Sequence, residues 1–108
     1  MKTTLFDLAK DYHFNFATRG NTCRLDGKNA SIQLEFDDAE KVVEFALIAG
    51  GWTNRIENDL LFEDINTFLH NVKHGNRTAN RLIINHMIAA LDQYPGTADF
   101  IDALEDLA

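Results

Sequence analysis

Residues 30–51 carry the most restrictive pattern in the sequence, because an alternating stretch runs directly into a continuous apolar one. Apolar and polar side chains alternate over residues 31–36, which predicts a strand with one buried face and one exposed face. The stretch that follows is apolar around a wide arc, which we interpret as a helix over Asp38–Ala49. A capping box at its start and Gly50-Gly51 at its end agree with that interpretation. A strand followed by a helix that covers it predicts an α+β fold.

The residues before this segment predict a helix over Thr4–Asp11 and then two further short strands. Alternation begins at Tyr12 and resumes at Cys23, and turns at Gly20 and Gly27 separate the alternating stretches. Three strands joined by short turns make an antiparallel meander. We expect its inner face to consist of Tyr12, Phe14, Phe16, Cys23, Leu25, Ile32, Leu34 and Phe36.

The rest of the chain predicts a second hairpin and a helical part. Residues 52–62 resemble two short strands around a turn. Apolar residues at helical spacing then predict helices over residues 64–74, 77–93 and 97–107. We therefore predict a single α+β domain over residues 1–108. Its antiparallel sheet has three to five strands, formed by the meander and the second hairpin, packs on a helix, and is followed by the C-terminal helical part.

Composition points to a protein that folds in the cytoplasm. With 108 residues and 45% hydrophobic content, the chain is long enough to bury a core. The single Cys23 excludes an intramolecular disulfide, and no stretch approaches the roughly 18 apolar residues of a membrane-spanning helix. The N-terminal residues lack the apolar run of a signal peptide. We expect a cytoplasmic protein that makes no contact with a membrane.

The sequence offers few residues for catalysis or metal binding. Cys23 lies on the apolar parity of a predicted strand, where a cysteine packs as a small hydrophobe rather than acting as a nucleophile. His70 and His74 are four residues apart, and Glu63 or Asp64 could add a ligand for zinc or nickel, but no third firm ligand accompanies them. We predict no catalytic residue, no metal site and no cofactor, although whether His70 and His74 bind a metal stays open.

Charge is unevenly distributed along the chain. The net charge is −7, and residues 31–64 contain nine acidic residues against two basic ones. A surface of that kind steers a basic partner toward itself. The candidate partner-binding face consists of Glu35, Asp37, Asp38, Glu40, Glu44, Glu57, Asp59, Glu63 and Asp64. The four acids of residues 99–108 join this face if the fold brings them close.

These features predict a non-enzymatic acidic binding protein. It would dock on a basic partner, either a nucleic-acid-handling protein or a toxin, and block its groove by acting as a nucleic-acid mimic. In composition the chain is similar to phage anti-CRISPR and anti-restriction inhibitors and to immunity proteins, but no motif assigns it to one of these groups. The sequence leaves the oligomeric state open.

The alternative is a DNA-binding regulator. Residues 64–94 form two predicted helices joined by a short turn, which is the outline of a helix-turn-helix motif. Side chains of the second helix, which would contact base edges, are Arg77, Asn80, Arg81 and Asn85. The net charge of −7 opposes contacts with phosphates, so we rank direct binding of nucleic acid below docking on a basic protein.

Overall fold

The structure, a computed structural model, describes residues 1–76 and 80–108. The described residues form four helices and one five-stranded sheet, whose strands lie side by side in chain order and are all antiparallel. This arrangement confirms the predicted α+β class and the antiparallel meander. The elements are α1 (Lys2–Asp11), β1 (Asn15–Arg19), β2 (Thr22–Asp26), β3 (Ser31–Phe36), β4 (Val42–Ala49), β5 (Trp52–Arg55), α2 (Asp59–Lys73), α3 (Arg81–Leu91) and α4 (Ala98–Leu107).

The inner face of the sheet is largely the one predicted. Cys23 lies opposite Leu34, and Leu25 lies opposite Ile32, in the β2–β3 pairing, and all four side chains are buried. They are joined by Phe36, which is also buried. The aromatic residues at the start of the meander differ, because Tyr12, Phe14 and Phe16 are only half-buried, and the first two precede β1. The centre of the meander therefore forms the core, and its first strand lies at the sheet edge.

The predicted helix over Asp38–Ala49 is wrong, because these residues form a turn and then β4. The carboxylate of Asp37 accepts hydrogen bonds from the backbone N–H groups of Ala39 and Lys41 and so closes the hairpin turn. Glu35 faces Glu44 across the ladder while the next residue faces Val42, so Val43 is an extra residue in the strand. This bulge interrupts the strict alternation and makes the apolar spacing resemble that of a helix.

Gly50-Gly51 forms the loop of the β4–β5 hairpin instead of ending a helix. Both glycines have positive φ, 56° and 82°, as a tight two-residue hairpin loop requires. Because this loop joins β4 to β5, the strand predicted from Trp52 pairs with the preceding strand, β4, and not with residues that follow it. The predicted second strand of that hairpin, residues 60–62, belongs to α2, because Asn58 caps the helix by accepting from the N–H of Leu61. The sheet thus reaches five strands by a different route from the one expected.

The helices pack on the inner face of the sheet and leave its other face open. α2 contacts β4, α1 contacts β1 and α2, and α3 packs against both α2 and α4. Leu69 of α2 and Ile84 of α3 are almost fully buried where these helices meet. On α3 the buried stripe also includes Met87 and Leu91, while His86 lies at the surface.

Candidate acidic docking surface

The predicted acidic residues lie on four consecutive parts of the fold. In addition to Glu35 near the end of β3, these are the β3–β4 turn, the start of β4, the loop after β5 and the first turns of α2. Five of the exposed ones surround the junction of β4 with α2, and we call this set the acidic band. The acidic band consists of Glu40, Glu44, Glu57, Asp59 and Glu63.

The members of the acidic band line two surface depressions. Glu44, Glu57 and Asp59 line the first depression, and Glu40 and Glu63 line the second. A hydrogen bond of 2.8 Å links β4 to α2 near the second depression: the backbone N–H of Val42 donates to the side-chain oxygen of Asn66, which lines that depression. Because this bond holds the start of β4 against α2, Glu40 and Glu63, which are 23 positions apart in the sequence, line the same depression.

The first depression contains a short, exposed ion pair. The guanidinium of Arg55 donates to the carboxylate of Glu44 at 2.6 Å. The side chain of Arg55 is 62% exposed and that of Glu44 is 50% exposed. Glu35 lies opposite Glu44 in the sheet, and the pKa of Glu35 is raised by its hydrogen bond with Glu44 and by the repulsion between the two groups. Arg55 therefore offsets part of a repulsion that the strand pairing imposes.

The second depression mixes acidic and basic groups. Glu40 is paired with the N-terminal ammonium group of Met1 at 3.1 Å, and this hydrogen bond lowers the pKa of the Glu40 carboxyl. Lys41 and Lys73 also line this depression, together with His70. The first depression, whose lining contains Arg55 as its only basic residue in the described part of the chain, is the more negative of the two.

Some predicted members of the face have structural roles instead. Asp37 uses its carboxylate to close the β3–β4 turn and is half-buried. Asp64 lies 3.5 Å from the ring of His86 on the neighbouring helix. Asp38 is exposed, and its carboxylate accepts a hydrogen bond of 3.5 Å from Asn21. The acids of α4 line neither depression, and Asp99 accepts a hydrogen bond from the backbone N–H of Lys28 in the β2–β3 loop.

Exposed apolar residues accompany the acidic band, and sequence reasoning missed them. Val43 and Phe62 line the first depression, and Val43 is 43% exposed. Leu60, which follows Asp59 in α2, is 72% exposed; Trp52 is also exposed but lies at the opposite end of β5 from Arg55, paired with Ala49. Outward placement of Val43 follows from the bulge, which only a correct strand assignment would have revealed. Carboxylates beside exposed apolar side chains have the mixed character of a protein-binding surface.

The residues of the DNA-binding alternative do not share one exposed face. Asn80 precedes α3, is only 1% exposed, and accepts a hydrogen bond of 2.9 Å from the side chain of Asn71. Its predicted place on a DNA-facing surface is therefore wrong. Arg81 and Asn85 are exposed one helical turn apart on α3. Arg77 lies outside the described residues.

The residues considered for catalysis and metal binding are Cys23, His70 and His74. Cys23 is fully buried on β2, and burial raises the pKa of its thiol, which disfavours the reactive thiolate. The rings of His70 and His74 are 4.4 Å apart between centroids. Within residues 1–76 and 80–108, no three His, Cys, Asp or Glu side chains converge in a way that could hold a metal ion.

Comparison with protein-family models, with curated proteins and with solved structures finds no match to this chain. Of the helices in the described part of the chain, none combines the length and the apolar character needed to cross a lipid bilayer.

Proposed function

We propose that this protein is a non-enzymatic binding protein whose acidic band docks on the basic groove of a partner protein and blocks it. The partner class is a protein that handles nucleic acid, or a toxin, whose groove normally receives phosphates. The observation that carries the proposal is the convergence of Glu44, Glu57 and Asp59 on one depression beside the exposed apolar residue Val43. Spaced carboxylates offer the negative charge that such a groove binds, so the band would act as a nucleic-acid mimic.

The charges of the acidic band suit fast and selective association. Opposite potentials on two surfaces accelerate their encounter and exclude partners of the same sign. Exposed charge pairs add little affinity by themselves, so the apolar contacts must supply a large part of the binding free energy. Val43 in the first depression and Leu60 next to Asp59 are the exposed apolar side chains available for that purpose.

The proposal is tested with two charge-reversal variants of equal net charge. In the band variant, four members of the acidic band are replaced by lysine: Glu44→Lys, Glu57→Lys, Asp59→Lys and Glu63→Lys. In the control variant, four exposed acids of α1 and α4 are replaced: Asp7→Lys, Asp11→Lys, Asp102→Lys and Glu105→Lys. All eight side chains are exposed, and the control set excludes the carboxylates of α4 that make hydrogen bonds.

Wild-type protein and both variants are immobilised and exposed to a lysate of the source organism. We expect the wild type and the control variant to retain the same basic protein, the band variant to lose it, and duplex DNA to displace it. Retention by all three proteins would contradict docking through the acidic band. Retention that duplex DNA does not disturb would contradict a nucleic-acid groove as the target.

The alternative proposal, a DNA-binding regulator, now depends on Arg81 and Asn85, which are exposed one turn apart on α3. It predicts salt-sensitive binding to duplex DNA in fluorescence anisotropy, with a smaller salt slope for Arg81→Ala. Arg19→Ala, at an exposed position on β1, is the matched control. Absence of binding by the wild type at low salt would exclude this alternative.

A further inference from the structure

A cavity of about 100 Å³ lies between the inner face of the sheet and the helices. Its walls come from β2, β3 and β4 on one side and from all four described helices on the other. Close-packed interiors contain few voids larger than one water molecule. A void of this size at the centre of a chain of 108 residues is therefore a distinct feature of the fold.

The lining of the cavity is almost entirely hydrocarbon. Leu34 and Phe45 from the sheet face Leu69 and Met87 from the helices, and among the described lining residues only Tyr12 carries a polar side-chain atom. Water requires about two to four polar partners to occupy such a space, and an apolar cavity of about 150 Å³ engineered in another protein stays dry and binds benzene. The cavity described here favours an apolar occupant over water.

One side of the cavity approaches the surface. Leu8 and Tyr12 at the end of α1 and Leu107 at the end of α4 line it and are only half-buried, unlike the deeper residues. The hydroxyl of Tyr12 donates a hydrogen bond of 2.5 Å to the carboxylate of Asp106, and this bond joins the two helix ends. These half-buried residues separate the cavity from solvent at the ends of α1 and α4.

We propose that this cavity is a binding site for a small apolar ligand of about the size of one aromatic ring. The ligand class is a hydrocarbon or another molecule without hydrogen-bonding groups, because the walls would leave such groups unpaired. This inference is independent of the docking function, since no member of the acidic band lines the cavity and the cavity shares only Phe45 with the lining of the two depressions.

Benzene is the probe that tests the proposal. In methyl-detected NMR titrations of the wild type, we expect saturable shifts of the methyl signals of Leu69 and Met87, which line the cavity. Leu60 and Leu82, which are exposed on α2 and α3, should not shift. Equal shifts at the buried and exposed methyl groups, or no saturable shift at all, would overturn the proposal.

A cavity-filling variant locates the binding. Ala9 is fully buried on α1 and lines the cavity, so Ala9→Leu places additional carbon atoms in the space. We expect the dissociation constant for benzene to rise at least about tenfold, which corresponds to about 1.4 kcal/mol. Ala89→Leu, at an exposed position on α3, is the matched control and should bind benzene as the wild type does. Equal affinity in both variants would contradict binding in the cavity.

A second comparison needs no variant and so remains decisive if Ala9→Leu fails to fold. Pyrazine has the shape of benzene but carries two ring nitrogens that accept hydrogen bonds. Because the lining described above offers them no donor apart from the engaged hydroxyl of Tyr12, we expect pyrazine to bind the wild type at least about tenfold more weakly. Equal affinity for benzene and pyrazine would overturn the assignment of an apolar ligand.

Discussion

The interior between sheet and helices and the acidic band at its rim differ in how their side chains are held. In the interior, Leu47, Leu69 and Ile84 are at most 1% exposed and are surrounded by other side chains. In the acidic band, Glu57, Asp59 and Glu63 are exposed to solvent. Stability therefore resides mainly in the first region, while the second can change its charge at little cost to the fold. The following predictions test that separation, beginning with the largest expected effect.

Truncation in the interior should cause the largest loss of stability. Leu69→Ala removes a fully buried side chain and enlarges the existing cavity, which typically lowers the free energy of unfolding by about 2–5 kcal/mol. Urea denaturation followed by circular dichroism measures this change. Leu60→Ala on the same helix is the matched control, and it should change the free energy by less than about 0.5 kcal/mol. A similar loss in both variants would contradict the described packing of α2.

Loss of the hydrogen bond between the half-buried Asn71 and the buried Asn80 should have an intermediate effect. Asn80→Ala leaves the side-chain N–H group of Asn71 without its partner, at a cost of about 1–3 kcal/mol. Asn85→Ala removes the same type of side chain from an exposed position of α3 and should have almost no effect on thermal unfolding. Stability of Asn80→Ala equal to that of the wild type would contradict a stabilising role for the hydrogen bond that Asn71 donates to Asn80.

Charge reversal in the acidic band should affect stability only slightly. The band variant replaces four exposed carboxylates and disrupts one exposed ion pair, between Glu44 and Arg55. Exposed pairs contribute at most about 1 kcal/mol, and relief of repulsion among the acids opposes even that loss. We expect the free energy of unfolding to stay within about 1 kcal/mol of the wild-type value. A larger loss would show that the acidic band is part of the structural framework.

The smallest expected effects are dependences on pH, and they have opposite signs at two carboxyls. The pKa of Asp26 is lowered, chiefly by its hydrogen bond with Arg24, so its contribution to stability is present above the unfolded-state pKa and is lost as pH falls through the folded-state pKa. The pKa of Glu35 is raised beside Glu44, so protonation of Glu35 favours the folded state as pH falls.

Denaturation at a series of pH values from 7 to about 3 distinguishes these two contributions. The destabilisation caused by Asp26→Asn should shrink as the solution becomes more acidic. Glu35→Gln should be most favourable near neutral pH, and its advantage should disappear in acid. The same pH trend for both variants would contradict the opposite environments that the sheet gives to these carboxyls.

Sequence reasoning predicted the centre of the sheet because local patterns determine it. Alternation over β2 and β3 reports directly which side chains face the core. Sequence reasoning failed at β4 for two reasons. The bulge at Val43 disturbs the alternation, and the tight Gly50-Gly51 loop resembles a helix end. Two β-branched valines at the start of this strand favoured the extended conformation, but the pairing that confirms it involves residues from β3 and β5.

The candidate site was predictable in composition and not in geometry. The concentration of acidic residues between positions 31 and 64 is visible in the sequence. Which of them converge depends on the β4 hairpin and on the hydrogen bond from Val42 to Asn66, neither of which leaves a local pattern. The same holds for Asp37, whose carboxylate is used by a turn, and for Asn80, which tertiary packing buries.

The most direct test of the central claim measures binding of a fluorescent lysine- and arginine-rich peptide by anisotropy at 0.15 M salt. At that ionic strength, charges more than about 8 Å away are largely screened, so local carboxylates rather than net charge determine the affinity. We predict that the band variant binds the peptide at least about tenfold more weakly than wild type, while the control variant of equal net charge stays within about threefold. An equal loss in the two variants would contradict a localised docking surface and would assign the attraction to net charge alone.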